Sequence, residues 1–102
     1  MSQNMQNGGS SIGIARTDHA SRYLQQLAKH FAHRVPVTFT PEICDATFDL
    51  GTCHIEADAE QLVVTVASPD PAEIPRLQKV VEHHLVRFSF REPDMTLEWR
   101  AA

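Results

Sequence analysis

Histidine is the residue type in this sequence with the widest chemical scope, because six of the 102 residues are histidines. Imidazole titrates near neutral pH and is the commonest protein ligand for metal ions. His30 and His33 are three residues apart in a segment with helical periodicity, a spacing that brings two side chains together on a helix surface. The pair could bind a metal ion weakly, but a metal centre needs a third ligand. The alternative is that both are surface histidines near the end of a helix.

A second candidate group combines a histidine with a cysteine. His84 falls on the apolar stripe of a second helical segment, between Val81 and Phe88. Cys53 alternates with polar residues, which predicts a strand that points its thiol toward the same interior. We therefore predict a small polar pocket formed by His84 and Cys53, with His30 at its rim. It could hold a transition metal or activate a thiolate. The alternative is a hydrogen-bonded core histidine beside a small buried cysteine, which is how free cysteines usually behave.

Two further groups have patterns that could support chemistry. His54 and Glu56 are predicted on the outward face of one strand, where they could form an acid–base pair or a hydrated surface. Arg87 and Arg91 flank Phe88-Ser89-Phe90. That stretch could bind an anion, or it could end a helix with its aromatic rings in the core.

The elements that must position these residues follow from the spacing of apolar side chains. Apolar residues at three- and four-residue steps predict one helix from Thr17 or Asp18 to about Arg34 and another from Asp70 to Phe88. Period-two alternation predicts strands around 12–14, 35–40, 46–48, 52–57, 62–67 and 95–100. Short hairpin connections make the middle strands an antiparallel meander.

The predicted fold is therefore α+β. It is a two-layer sandwich in which an antiparallel sheet of four to five strands carries two helices on one face. The order of elements is (β)-α-β-β-β-β-α-β. Residues 1–10 are predicted to be a disordered N-terminal tail and residues 11–102 a single domain.

Composition excludes several classes of protein. The hydrophobic fraction of 42% and the charged fraction of 22% are ordinary for a soluble domain. No run of about eighteen apolar residues is present, so no membrane partner is expected. The net charge of −4 argues against a general nucleic-acid-binding protein. Two cysteines without a secretory signal predict a cytoplasmic protein with free thiols, and no disulfide is expected between Cys44 and Cys53.

The charges are distributed unevenly along the chain. No Lys or Arg occurs between Arg34 and Arg76, whereas the first helix is predicted to have a basic outer face at Arg22, Lys29 and His33. This face could dock an anion or an acidic partner. The alternative is a solvated helix surface that aids solubility.

Three segments together resemble a known bacterial family. They are residues 20–33 (ASRYLQQLAKHFAH), residues 84–92 (HLVRFSFRE) and the closing Trp99. These segments resemble the family catalogued as domain of unknown function 2218. Ala28 departs from the pattern, because similar chains often have a cysteine there.

The resemblance implies a small α+β domain that occurs alone or joined to siderophore-interacting flavin reductases. By analogy it implies a role near bacterial iron acquisition. The polar residues carried over from the shared pattern are His30, His33, Cys53, His84 and Arg87.

These lines of reasoning define the candidate sites. The candidate ligand pocket contains His30, Cys53, His84 and Arg87. The candidate ligands for a transition metal are His30, His33, Cys53 and His84.

The preferred functional hypothesis is a non-enzymatic accessory or binding module linked to iron or siderophore handling, with a siderophore-interacting reductase as partner. One alternative is a homodimeric structural or interaction protein. The second alternative is a small enzyme that uses Cys53 and His84.

Overall fold

The computed structural model describes residues 8–102 as six strands and two helices. In chain order they are β1 (Gly9–Arg16), α1 (Ala20–Phe31), β2 (Val37–Phe39), β3 (Ile43–Thr47), β4 (Thr52–Ala57), β5 (Gln61–Ser68), α2 (Ile74–Phe88) and β6 (Glu98–Ala101). Strand β1 begins at Gly9, so it includes the last residues that the sequence assigned to a tail. Gly8 precedes the strand as an exposed residue, and residues 1–7 of the predicted tail lie outside the described residues.

All six strands form one antiparallel sheet in the order β2-β3-β4-β5-β1-β6. This confirms the predicted α+β class. The sheet has six strands, above the expected four to five, because β1 is a full strand of eight residues. It pairs with β5 along its whole length and with β6 on its other side.

One face of the sheet is buried, and alternation in the sequence explains which one. Buried and partly exposed residues alternate without interruption along β5, so that Leu62, Val64 and Val66 all point inward. Leu24 of α1 and Leu77 of α2 are also fully buried. The core therefore lies between the sheet and the two helices.

The two helices cover different strands. α1 packs on the strands from β2 to β5, whereas α2 packs on β5 and β1. Consequently the residues of β4 lie beneath α1. Within residues 8–102, neither helix combines the length and the apolar character needed to cross a membrane.

The start of α2 is set by local hydrogen bonding. The carboxylate of Asp70 accepts a hydrogen bond from the backbone N–H of Ala72 at 3.0 Å, which begins a 3₁₀ turn over Pro71–Glu73. Pro75 then occupies the first turn of the α-helix, where its missing N–H has no intrahelical partner to lose.

One side-chain hydrogen bond and one ring contact, both from Trp99, tie the C-terminal segment to the rest of the fold. The indole N–H of Trp99 donates to Glu82 at 2.6 Å, which links β6 to α2. The indole ring also covers Gly13 of β1, where an added Cβ would lie 2.8 Å from the ring. Glycine is therefore needed at that position for the ring to approach the strand.

The segment after α2 is held to the start of α1 through one carboxylate. Oε1 of Glu92 accepts hydrogen bonds from Thr17 Oγ1 at 2.8 Å and from Tyr23 Oη at 2.5 Å. These two donors lower the pKa of Glu92, so the carboxylate is ionised at neutral pH. Burial, with the hydrogen bond to Glu92, raises the pKa of Tyr23 to about 12, so the phenol stays protonated and keeps donating.

Candidate functional site

The structure brings His30 and His84 together where the C-terminal halves of α1 and α2 lie side by side. The centroids of the two imidazole rings are 4.3 Å apart, and the rings are tilted by 45°. Both side chains are half-buried. Phe31 packs edge-on against His84 with ring centroids 5.6 Å apart, and Phe88 packs edge-on against His30 at 6.0 Å.

The tautomer of neutral His84 follows from its hydrogen bond. Nδ1 of His84 lies 2.8 Å from the backbone oxygen of Val80, one turn earlier in α2. Because a carbonyl oxygen only accepts, Nδ1 must carry the proton, and the Nε2 lone pair of the neutral ring is left available.

The surroundings of His84 also favour its neutral form. Burial lowers the pKa of His84 below its ordinary value, and nearby positive charges lower it further. The neighbours that contribute to the shift are His30, His83, Arg87 and Arg34. Each of these neighbours is basic, so the end of the helix pair is a region of positive potential.

Arg87 lies near the His30–His84 pair, whereas within residues 8–102 His33 makes no ring contact with it. The exposed Arg87 lies on α2 close enough to act on His84 through its charge. His33 lies in the turn after α1 with an exposed side chain, and its backbone N–H donates to the oxygen of His30 at 3.2 Å. In the part of the chain that the structure describes, His33 makes no ring contact with His30 or His84.

Cys53 is not brought to the histidines. It lies on β4, opposite Ala46 and Val66, with 1% of its surface exposed. Burial, with smaller contributions from Cys44 and Asp45, raises the pKa of the Cys53 thiol to about 12. Its separation from His84 has a physical reason, since β4 lies under α1, whereas His84 is carried by α2.

The predicted metal set is therefore not assembled. Over residues 8–102, no group of three or more His, Cys, Asp or Glu side chains is placed to hold a metal ion. The two cysteines are free thiols, as expected, and Cys44 faces Ile55 across the β3–β4 pair. Of the candidate residues, His30, His84 and Arg87 share a location, while His33 and Cys53 lie apart from it.

His54 forms a separate polar group on the outer face of the sheet. Its Nδ1 lies 2.6 Å from Asp45 Oδ1 and its Nε2 lies 2.8 Å from Glu56 Oε2. The two carboxylates raise the pKa of His54 by accepting hydrogen bonds from the charged ring. Both ring nitrogens are occupied, so the ring is not free to act as a base toward a ligand. The sequence predicted Glu56 as a partner of His54. Asp45 becomes the second partner of His54 only through the β3–β4 register.

The burial of Cys53 predicts an unreactive thiol. In a Cys44→Ala variant, a thiol reagent should label Cys53 slowly at neutral pH, because a pKa raised from 9.0 to about 12 lowers the thiolate fraction by about 10³-fold. Labelling is followed by mass spectrometry, and the same variant in denaturant provides the control for intrinsic reactivity. Native labelling as fast as that of a small free thiol would show that the side chain is accessible and activated.

The raised pKa of His54 predicts how stability depends on pH. Its charged form adds stability that is fully present below pH 6.5 and is lost as pH rises through the higher pKa of the folded state. Asp45→Asn should therefore lower the free energy of unfolding more at about pH 6 than at about pH 9, and by less than about 1 kcal/mol because the pair is exposed.

The matched control for this prediction is Asp49→Asn, which removes an exposed acid from the β3–β4 loop. Urea unfolding of both variants at the two pH values makes the comparison. If the free energies of unfolding of the Asp45 and Asp49 variants change in parallel with pH, His54 is not the group that makes stability depend on pH.

Comparison with known proteins identifies the family. The profile of a family described as uncharacterized proteins conserved in bacteria (DUF2218) matches residues 13–100. No curated protein matches the sequence. The chain is similar to the NMR structure of PA4090 from Pseudomonas aeruginosa, with 30% identity, a TM-score of 0.75, and coverage of 90% of this chain and 95% of that chain. The chain therefore belongs to the uncharacterised bacterial family DUF2218.

Proposed function

We propose that this chain is a binding module that holds an anionic ligand over the adjoining C-terminal halves of α1 and α2. The observation that carries the proposal is the cation cluster, which we define as the basic residues His30, Arg34, His83, His84 and Arg87. The guanidinium groups of Arg34 and Arg87 supply its positive charge. Its two central rings are 4.3 Å apart, and each charged neighbour that shifts the pKa of His84 is basic.

The positive potential at the cation cluster favours an anion over a bare metal ion. The negative ends of two helix dipoles stabilise basic side chains here, yet the basic neighbours still lower the pKa of His84. A bound anion would offset this repulsion and accept hydrogen bonds from the guanidinium groups of Arg34 and Arg87. A divalent cation would add to the repulsion and would find only two imidazole ligands.

The finer proposal concerns the kind of anion. The family resemblance implies iron handling, and chelates of iron(III) with catecholates carry negative charge. We therefore propose an anionic iron chelate as the ligand, presented by this domain to a partner reductase. The exposed positions of Arg34, His83 and Arg87 suit a ligand that remains accessible to such a partner.

The geometry gives no support to an enzyme that uses Cys53 and His84. A thiol with a pKa of about 12 is protonated at neutral pH and is a poor nucleophile. Its position beneath α1 also separates it from the imidazole that would have to activate it. A binding role requires neither a Cys53 thiolate nor a contact between Cys53 and His84.

The proposal is tested with gallium(III) tris-catecholate, a diamagnetic anionic stand-in for an iron chelate. We expect NMR shift changes concentrated at the cation cluster and a dissociation constant below about 1 mM. Arg87→Gln should weaken binding by about 3- to 10-fold through loss of a charge-assisted contact. The matched control is Arg100→Gln, which removes an exposed arginine from β6 and should leave affinity unchanged.

Two outcomes would contradict the proposal. One is an absence of chelate binding below about 1 mM, which is too weak for a specific ligand at such a charged site. The other is tighter binding of Zn²⁺ alone, lost in His30→Ala, which would assign the paired imidazoles to a metal instead.

A further inference from the structure

A second polar cavity lies between the N-terminal half of α1 and the chain that follows α2. Its volume is about 430 Å³, within the range of small-molecule sites. Arg22 and Gln26 line it from α1, and Phe90, Arg91 and Glu92 line it from the segment after α2. None of these residues belongs to the cation cluster, so a ligand in this cavity would occupy a different site from the proposed anionic ligand.

The charged groups of this cavity suit a monocarboxylate. The exposed guanidinium groups of Arg22 and Arg91 provide two positive charges. Glu92 provides one negative charge, since the donors on its Oε1 lower its pKa. Two arginines against one carboxylate leave an excess of one positive charge, and a guanidinium fork matches the two oxygens of a carboxylate.

Gln26, which lines the cavity, has a buried acceptor without a donor among the described residues. Among residues 8–102, the Oε1 of Gln26 is the one buried side-chain nitrogen or oxygen without a hydrogen-bond partner. Leaving a buried acceptor unsatisfied costs about 1–3 kcal/mol. When the Gln26 amide turns toward the cavity, a ligand hydroxyl that donates to Oε1 removes that cost, so a ligand with a hydroxyl donor is expected to bind more tightly than one without it.

The rim of the cavity is aromatic. Phe90 is 70% exposed, and the guanidinium carbon of Arg91 lies 5.5 Å from the centroid of its ring. This cation–π contact keeps Arg91 beside the aromatic surface. An apolar substituent of a ligand could cover the ring of Phe90 while its carboxylate reaches Arg91.

We propose that this cavity binds a small α-hydroxy carboxylic acid with an aromatic or other apolar side chain. Arg22 and Arg91 bind the carboxylate, Gln26 accepts a hydrogen bond from the hydroxyl, and Phe90 contacts the apolar side chain. The proposal assigns the cavity a ligand class that differs from the large chelate proposed for the cation cluster.

Two acids that differ by one hydroxyl group test this assignment. 3-Phenyllactate should bind about 5- to 10-fold more tightly than 3-phenylpropionate, the advantage of one satisfied hydrogen bond. Binding is measured by NMR titration, with the largest shifts expected at Gln26, Phe90 and Arg91. Gln26→Met, which has a similar volume and no acceptor amide, should abolish the difference between the two acids without lowering the melting temperature.

Substitutions of arginine test how the cavity recognises the charge of the carboxylate. Arg91→Gln should weaken both acids by about 10-fold, whereas the control Arg100→Gln should weaken neither. Equal affinities for the two acids in the unaltered chain would overturn the assignment of the hydroxyl to Gln26. Failure of both acids to bind below about 10 mM, or shifts centred on His84, would overturn the site itself. Those results would leave chelate binding at the cation cluster unaffected.

Discussion

The burial of one sheet face beneath two helices is the constraint on which the rest of this structure depends. Leu24 and Leu27 of α1 and Leu77 and Val81 of α2 are almost completely removed from solvent. Burying such a side chain stabilises a fold by about 1.5–3 kcal/mol, whereas an exposed ion pair contributes about 0–1 kcal/mol. The apolar contacts therefore set where the helices lie, and the polar groups occupy the positions that remain.

The division of the sheet between the helices decides which polar groups meet. Because α1 extends over β4 and α2 packs on β5 and β1, Cys53 faces one helix while His84 is carried by the other. Where the two helices touch each other, His30 and His84 come into contact. Basic residues lie at the ends of both helices, and burial together with these neighbours lowers the pKa of His84.

The sequence predicted the architecture better than the site, and the reasons are physical. Apolar periodicity shows which face of a helix or strand is buried, so it identified both helices and most strands. It placed His84 inside the fold, whereas the structure leaves this side chain half-buried. Periodicity does not show which strand lies beneath which helix. The contact predicted between His84 and Cys53 depends on which helix covers β4, and periodicity does not show this.

Other parts of the candidate sites depend on chain turns and strand register. Asp45 reaches His54 only because the β3–β4 hairpin pairs these two positions. The cavity near Gln26 exists because the chain turns after α2 and Glu92 bonds to Tyr23. One feature of the sequence does indicate a polar surface here. Arg22, Gln26 and His30 are spaced four residues apart, so they lie along a single face of α1.

The tautomer and the pKa of His84 decide whether the helix ends form a positively charged site, and NMR can measure both through the ¹⁵N shifts of the ring during a pH titration. We expect the neutral ring to carry its proton on Nδ1 and to titrate below pH 6.5, with Arg87→Gln moving the pKa upward. A proton on Nε2 of the neutral ring would contradict the hydrogen bond to Val80, and a pKa above 6.5 would contradict the effect of burial and of the basic neighbours.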